Sequence, residues 1–98
     1  MDLAELTREM NRFVEAMGWY EHNSPKPQTP VNLAKSLVME ASEVLECFQW
    51  RESPIDKRAL EGELADVLLY TLQLASVLDI NLEAATLAKL KANYGRDW

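Results

Sequence analysis

Residues 54–78 read PIDKRALEGELADVLLYTLQLASVL, and this stretch decides the fold. From Leu64 to Leu78 the only charged side chain is Asp66. Stepped at about 100° per residue, Leu60, Leu64, Val67, Leu68, Leu69, Leu72, Leu74, Ala75 and Leu78 go nearly all round a helix. A bilayer span needs about 20 apolar residues. This run is shorter and carries Thr71, Gln73 and Ser76 besides Asp66. It therefore predicts a buried helix rather than a membrane span. A surface helix of a small monomer shows one clear polar face. This helix is expected to be covered on several sides, which favours a homodimer or larger assembly over a self-contained protomer.

Outward from that helix, the same rhythm recurs. Upstream, a helix over about 30–51 carries Leu33, Leu37, Ala41, Val44, Leu45 and Phe48 on one face. Thr29-Pro30 supplies its N-cap and first-turn proline. Ser53-Pro54 gives a similar start signal for a third helix over about 54–78. Residues 2–17 form a first helix through Leu3, Leu6, Met10, Phe13, Val14 and Met17, stopped by Gly18. The segment 19–30, rich in Pro, Asn and Ser, reads as a loop. Asn81 caps a fourth helix, with Leu82, Ala85, Leu87 and Leu90 available for packing, and Gly95 ends it. No strand-like alternation of useful length occurs. The expectation is one all-α domain over 1–98, a four-helix bundle-like protomer.

Bulk properties narrow the function. The chain has 98 residues and a net charge of -6, which gives no general attraction for nucleic acid or anionic lipid. One cysteine, Cys47, excludes an internal disulfide and a cysteine-rich zinc site. The start shows no signal-peptide pattern, so a reducing cytoplasm is the simplest location. Neither a nucleic-acid polymer nor a membrane is expected as a partner.

The chemistry lies in the acids. Glu40 and Glu43 interrupt the apolar pattern of the second helix, and Glu63 and Asp66 that of the third. Residues three apart share a helical face. Two antiparallel helices joined by a short connection at 52–55 would let both pairs meet. Burying unpaired charge is costly, and four carboxylates repel one another, so the natural partner is a cation. Oxygen-only ligands suit magnesium, with manganese as a substitute. Magnesium usually binds carboxylates together with substrate phosphates, which points to a phosphate ester or anhydride as substrate. The plainer alternatives are solvated surface acids, as expected for Glu46, Glu52 and Glu61, or carboxylates paired to Lys or Arg.

Glu40-Ala41-Ser42-Glu43 followed by Glu63-Leu64-Ala65-Asp66 resembles the E-x-x-E … E-x-x-D signature of the MazG-like all-α nucleoside triphosphate pyrophosphohydrolases. Asn32-Leu33, Phe48-Gln49-Trp50, Asp66-Val67-Leu68-Leu69-Tyr70, Asp79-Ile80-Asn81-Leu82 and Lys89 with Asn93 extend the likeness over roughly 30–94. The small deoxycytidine triphosphate pyrophosphatase-like members are the nearest branch. The resemblance implies a helical bundle assembled as a dimer or dimer of dimers. It also implies hydrolysis of a nucleoside triphosphate between the α and β phosphorus atoms. By position it makes Glu40, Glu43, Glu63 and Asp66 the magnesium ligands. Of these, Glu40 or Glu43 is the expected proton acceptor. Lys89 and Asn93 would hold the phosphate chain, some of it across a subunit boundary. Trp50 would lie near the base, and Tyr70 would line the sugar or phosphate pocket. Two departures stand out. Gln28 occupies a position where the related deoxycytidine enzymes carry histidine, and Tyr94-Gly95 stands where the family often has Tyr-Pro.

Other residues carry milder expectations. Trp19 and Tyr20 either close over a nucleotide or anchor their loop. His22 is expected to be solvated rather than catalytic, and Cys47 to be a small buried hydrophobe. Met10, Met17 and Met39 are expected to fill the core, and Trp98 to pack on a partner or fray. The rival to an enzyme is a non-enzymatic oligomeric helical adaptor whose acidic cluster binds metal for stability.

Overall fold

Side-chain caps set where the helices begin. In the computed structural model, which describes residues 1–54 and 56–97, there are four helices in chain order. They are α1 (Leu3–Ala16), α2 (Pro30–Glu46), α3 (Lys57–Val77) and α4 (Leu82–Tyr94). The Asp2 carboxylate accepts the Glu5 N–H at 2.8 Å, the Thr29 hydroxyl accepts that of Asn32 at 3.2 Å, and Asn81 accepts that of Ala84 at 3.0 Å. Each satisfies one of the orphan donors of a first turn.

Two boundaries differ from the sequence expectation. The third helix starts at Lys57 instead of 54, because Asp56, and not Ser53, is the cap: its carboxylate accepts the Arg58 N–H at 2.9 Å. The second helix ends at Glu46, four or five residues early. Residues 47–50 form turns, and Trp50 sits at φ 67°, a left-handed conformation that a bulky side chain seldom adopts.

α1 closes with a Schellman turn. Gly18 (φ 75°) donates to the Glu15 carbonyl and Trp19 donates to that of Val14. The Trp19 ring then meets Phe13 edge-on, 5.6 Å between centroids, which supplies the apolar contact this motif favours. α3 ends the same way, with Asp79 (φ 55°) donating to Ser76 and Ile80 to Ala75.

α2 and α3 pack along much of their length, and α1 packs on the C-terminal half of α3. Gln28 meets Gln73, while Glu43 lies beside Glu63, so α2 and α3 run antiparallel. The core is small: Met10, Val14 and Leu72, with Leu3, Leu6, Trp19, Tyr20, Leu69 and Leu82 packed around it. Leu33 is also buried. Met10 fills the core as expected, but Met17 and Met39 are exposed, since each falls on the outer side of its helix. Cys47 is half-buried. Trp98 lies outside the described residues.

α4 projects from the rest. None of its residues is buried, and only Leu82, at its start, touches the core. Leu87, Leu90 and Tyr94 are exposed, as are Leu64 and Leu68 on α3 and Val31, Val38 and Leu45 down one side of α2. The accessible surface is 7693 Å², against about 5,700 Å² for a compact monomer of this mass. The radius of gyration is 15.7 Å, against about 13 Å for a compact chain of this length. No described helix is long and apolar enough to cross a membrane.

Candidate metal centre and adjoining groove

The antiparallel packing of α2 on α3 turns Glu40 and Glu43 toward Glu63. One carboxylate oxygen from each lies within 4.8 Å of the other two, and all three side chains are half-buried. The Oε2 atoms of Glu40 and Glu63 are shielded from solvent and have no hydrogen-bond partner. Orphaned buried acceptors are rare in proteins, and here two of them face a third carboxylate. Asp66 is more exposed and is not one of the three within this distance. Its charge nevertheless acts on both Glu40 and Glu63.

The electrostatics follow from this crowding. Burial, then the hydrogen-bonding and charge of Glu43, then the charges of Asp66 and Glu63, push the Glu40 carboxyl up to about 7. Contact with Glu43 is the main cause raising Glu63, followed by burial and the charges of Glu43, Asp66 and Glu46. Like charges that share a site hold on to protons. A divalent cation relieves the same repulsion. An all-oxygen set with orphaned acceptors fits magnesium or manganese, and it fits a thiol- or imidazole-seeking metal poorly.

Beside the carboxylates runs a groove of about 820 Å³. Its walls come from α1 (Leu6, Met10, Phe13), from the loop after it (Trp19, Lys26, Gln28), from the start of α2 (Asn32, Lys35, Ser36) and from α3 (Asp66, Tyr70, Gln73). Ser36 stands one turn before Glu40 and Asp66 one turn after Glu63, so the groove opens onto the acidic cluster. Lys26, whose ammonium stacks over the Trp19 ring at 4.8 Å, and Lys35 bring positive charge to it. A second, smaller cavity of about 340 Å³ lies between α1, the end of α3 and the start of α4. Its charged lining residues are Asp79 and Glu83, which suits it poorly to a polyphosphate.

Of the eight residues singled out from sequence, five gather here: Glu40, Glu43, Glu63, Asp66 and Tyr70. The other three do not line the groove of this protomer. Trp50 is 95% exposed at its strained turn, and Lys89 and Asn93 are carried by the projecting α4. Trp19 anchors its loop through the edge-on contact with Phe13, and it is also part of the groove wall. His22 is exposed. Sequence reasoning missed Phe13, Lys26, Lys35 and Gln73 as groove residues. Only Gln73 carried a signal, as a polar side chain within the most apolar run.

Comparison with known proteins agrees with this geometry. The chain is 32% identical to human dCTP pyrophosphatase 1 and 31% to its Bos taurus counterpart, each over 103 aligned residues and 96% of this chain. It spans only 58% of the length of either relative. A crystal structure of a pyrophosphatase from Archaeoglobus fulgidus superimposes with a TM-score of 0.78 at 37% identity, covering 92% of this chain and 86% of that one. Residues 28–94, which hold α2, α3, α4 and every carboxylate of the cluster, match the MazG nucleotide pyrophosphohydrolase domain, and the chain belongs to that family.

Proposed function

We propose that this chain, acting over 1–98 as one MazG-like domain, hydrolyses nucleoside triphosphates to the monophosphate and pyrophosphate, with a preference for deoxynucleotides. The observation that carries the proposal is the convergence of Glu40, Glu43 and Glu63 within 4.8 Å beside a groove large enough for a nucleoside. In this reading Glu40, Glu43 and Glu63 hold magnesium, or manganese in its place, and Asp66 completes the set from the groove side. When bound, the metal screens the triphosphate and acidifies a water molecule. The chain's own residues do the rest. Lys26 and Lys35 draw the polyphosphate toward the carboxylates, and Tyr70 lines the sugar and phosphate path. Glu40 or Glu43 accepts the proton of the attacking water. The water oxygen bonds to the α phosphorus as the bond to the α–β bridging oxygen breaks. Pyrophosphate leaves with that oxygen.

The proposal includes a homodimer or a dimer of dimers. The accessible surface exceeds the compact-monomer value by about 2,000 Å², in the range that stable homodimers bury. Trp50, Lys89 and Asn93 then reach a groove across a subunit boundary, which gives the strained Trp50 and the projecting α4 a purpose. Clearing unwanted nucleotides from the cellular pool is the role this chemistry suits.

The test is a panel of deoxynucleoside and ribonucleoside triphosphates with magnesium, analysed for monophosphate and pyrophosphate. Turnover is expected for wild type and lost in Asp66→Asn, with helical circular dichroism retained. Release of diphosphate and inorganic phosphate would overturn the α–β assignment. Inertness toward every nucleotide would favour the non-enzymatic adaptor.

A further inference from the structure

Ser36 carries a hydroxyl to which the fold gives no task. A serine or threonine inside a helix commonly bonds back to a carbonyl of the preceding turn. Thr7 does so to Leu3, Ser42 to Met39 and Thr71 to Val67, each at 2.7 Å. Among the described residues no hydrogen bond holds the Ser36 hydroxyl. The side chain is half-buried in the groove wall, one turn after the buried Leu33 and one turn before Glu40. Alanine is the better helix former, and a half-buried hydroxyl without a partner costs free energy. Neither the helix nor its packing gains from serine there.

The register of the two long helices says what the hydroxyl faces. Antiparallel packing that sets Glu43 beside Glu63 brings Ser36 level with Tyr70, and both line the groove. Ser36 stands one turn from Glu40, and Tyr70 one turn from Asp66, about 6 Å along each axis. The Tyr70 hydroxyl likewise has no hydrogen bond among the described residues. Two uncommitted hydroxyls therefore flank the groove at the level next to the acids. In a nucleotide the pentose is bonded directly to the α-phosphate through O5′. An α-phosphate held at the carboxylates brings its sugar to the level of Ser36 and Tyr70, with the base deeper in the groove beside Phe13 and Trp19. A deoxynucleotide sugar has one free hydroxyl, at C3′.

We propose that the Ser36 hydroxyl hydrogen-bonds the 3′-hydroxyl of the substrate sugar and makes that group a determinant of turnover. The two groups match, since each donates one hydrogen bond and accepts others. The neighbouring walls, Leu33 and Leu69, are apolar and offer the sugar hydroxyl no alternative. Nucleotides that lack the 3′-hydroxyl, the chain terminators, are poor substrates for this reason. The inference rests on the nucleotide-hydrolysing reading above.

The experiment compares kcat/KM for the four deoxynucleoside triphosphates and their 2′,3′-dideoxy counterparts in wild type and Ser36→Ala. Wild type is expected to use its best deoxynucleotide about tenfold better than the dideoxy counterpart, the discrimination that one matched hydrogen bond in a groove provides. Ser36→Ala is expected to lose most of that ratio through slower use of the deoxynucleotide, with the dideoxy rate nearly unchanged. Folding is not at risk, because alanine favours the helix. A hydroxyl that serves the α-phosphate, or only shapes the groove, would slow both substrates alike and leave the ratio intact. A preserved ratio in Ser36→Ala, or an active wild type indifferent to the 3′-hydroxyl, overturns the sugar-reading role while leaving the hydrolase reading standing. A wild type inert on all four deoxynucleotides overturns both.

Discussion

Replacing Glu43 with glutamine should make the metal-free protein more stable at neutral and alkaline pH. Glu43 lies between Glu40 and Glu63 and raises the proton affinity of both. The Glu40 carboxyl is lifted from 4.5 to about 7. A carboxyl whose pKa is higher in the folded state contributes stability below about pH 4.5 and loses it as pH rises through about 7. At face value the elevation corresponds to about 3 kcal/mol. The cluster is half open to water, and solvent screening reduces this to about 1 kcal/mol. For a domain of this size that is about 4–8 °C in Tm. The assay is thermal unfolding followed by circular dichroism, in chelator, at pH 5 and pH 8. Wild type should melt several degrees lower at pH 8 than at pH 5, and millimolar magnesium should restore the loss. Glu43→Gln should show little of this drop and should out-melt wild type at pH 8 in chelator. Glu61→Gln, which removes one charge from the exposed surface of α3, controls for net charge and should behave like wild type. A Glu43→Gln protein that is less stable than wild type at pH 8 in chelator would refute a repulsive cluster.

Three further outcomes are expected. Leu72→Ala, at a position 1% exposed in the centre of the core, should cost about 2–5 kcal/mol; urea denaturation giving less than 1 kcal/mol would mean that the site collapses around the deletion or that the core lies elsewhere. Gly18→Ala should cost about 1–2 kcal/mol although no atom lies within 4 Å of the added methyl, because the cost is one of backbone conformation at φ 75°; unchanged stability in the same assay would show that the turn rearranges. Magnesium affinity measured by calorimetry should rise between pH 5 and pH 8, as protons on Glu40 and Glu63 compete with the ion; a flat profile would remove those carboxylates from the ligand set.

Much of the fold was legible because it rests on local rules. Thr29-Pro30, Asn81 and Gly18 act as caps and stops where their chemistry predicts. Glu40 and Glu43 meet Glu63 because spacings of three on antiparallel helices leave them little choice, while Asp66 stays outside that group on the groove side. What escaped reading depends on contacts between distant residues. Phe13, Lys26, Lys35 and Gln73 share a groove but no spacing pattern, so only packing reveals it. Asp56 outcompetes Ser53 as a cap, a choice between two reasonable start signals that sequence alone leaves open. The Trp50 turn depends on a backbone angle with no residue signature, since tryptophan is among the last side chains expected there. The all-round apolar character of the third helix, by contrast, pointed to cover that one protomer does not supply, and Leu64 and Leu68 are exposed accordingly.

The detachment of α4 has a consequence for how the molecule breathes. A 13-residue helix with no buried side chain is marginal in water, so in an isolated protomer its amides should trade hydrogen for deuterium almost as fast as those of an unstructured peptide. Whatever docks on Leu87, Leu90 and Tyr94 will slow that exchange, while α2 and α3 change far less. The last helix is in effect a built-in gauge of occupancy, and Lys89 is held in place only as firmly as that gauge reads.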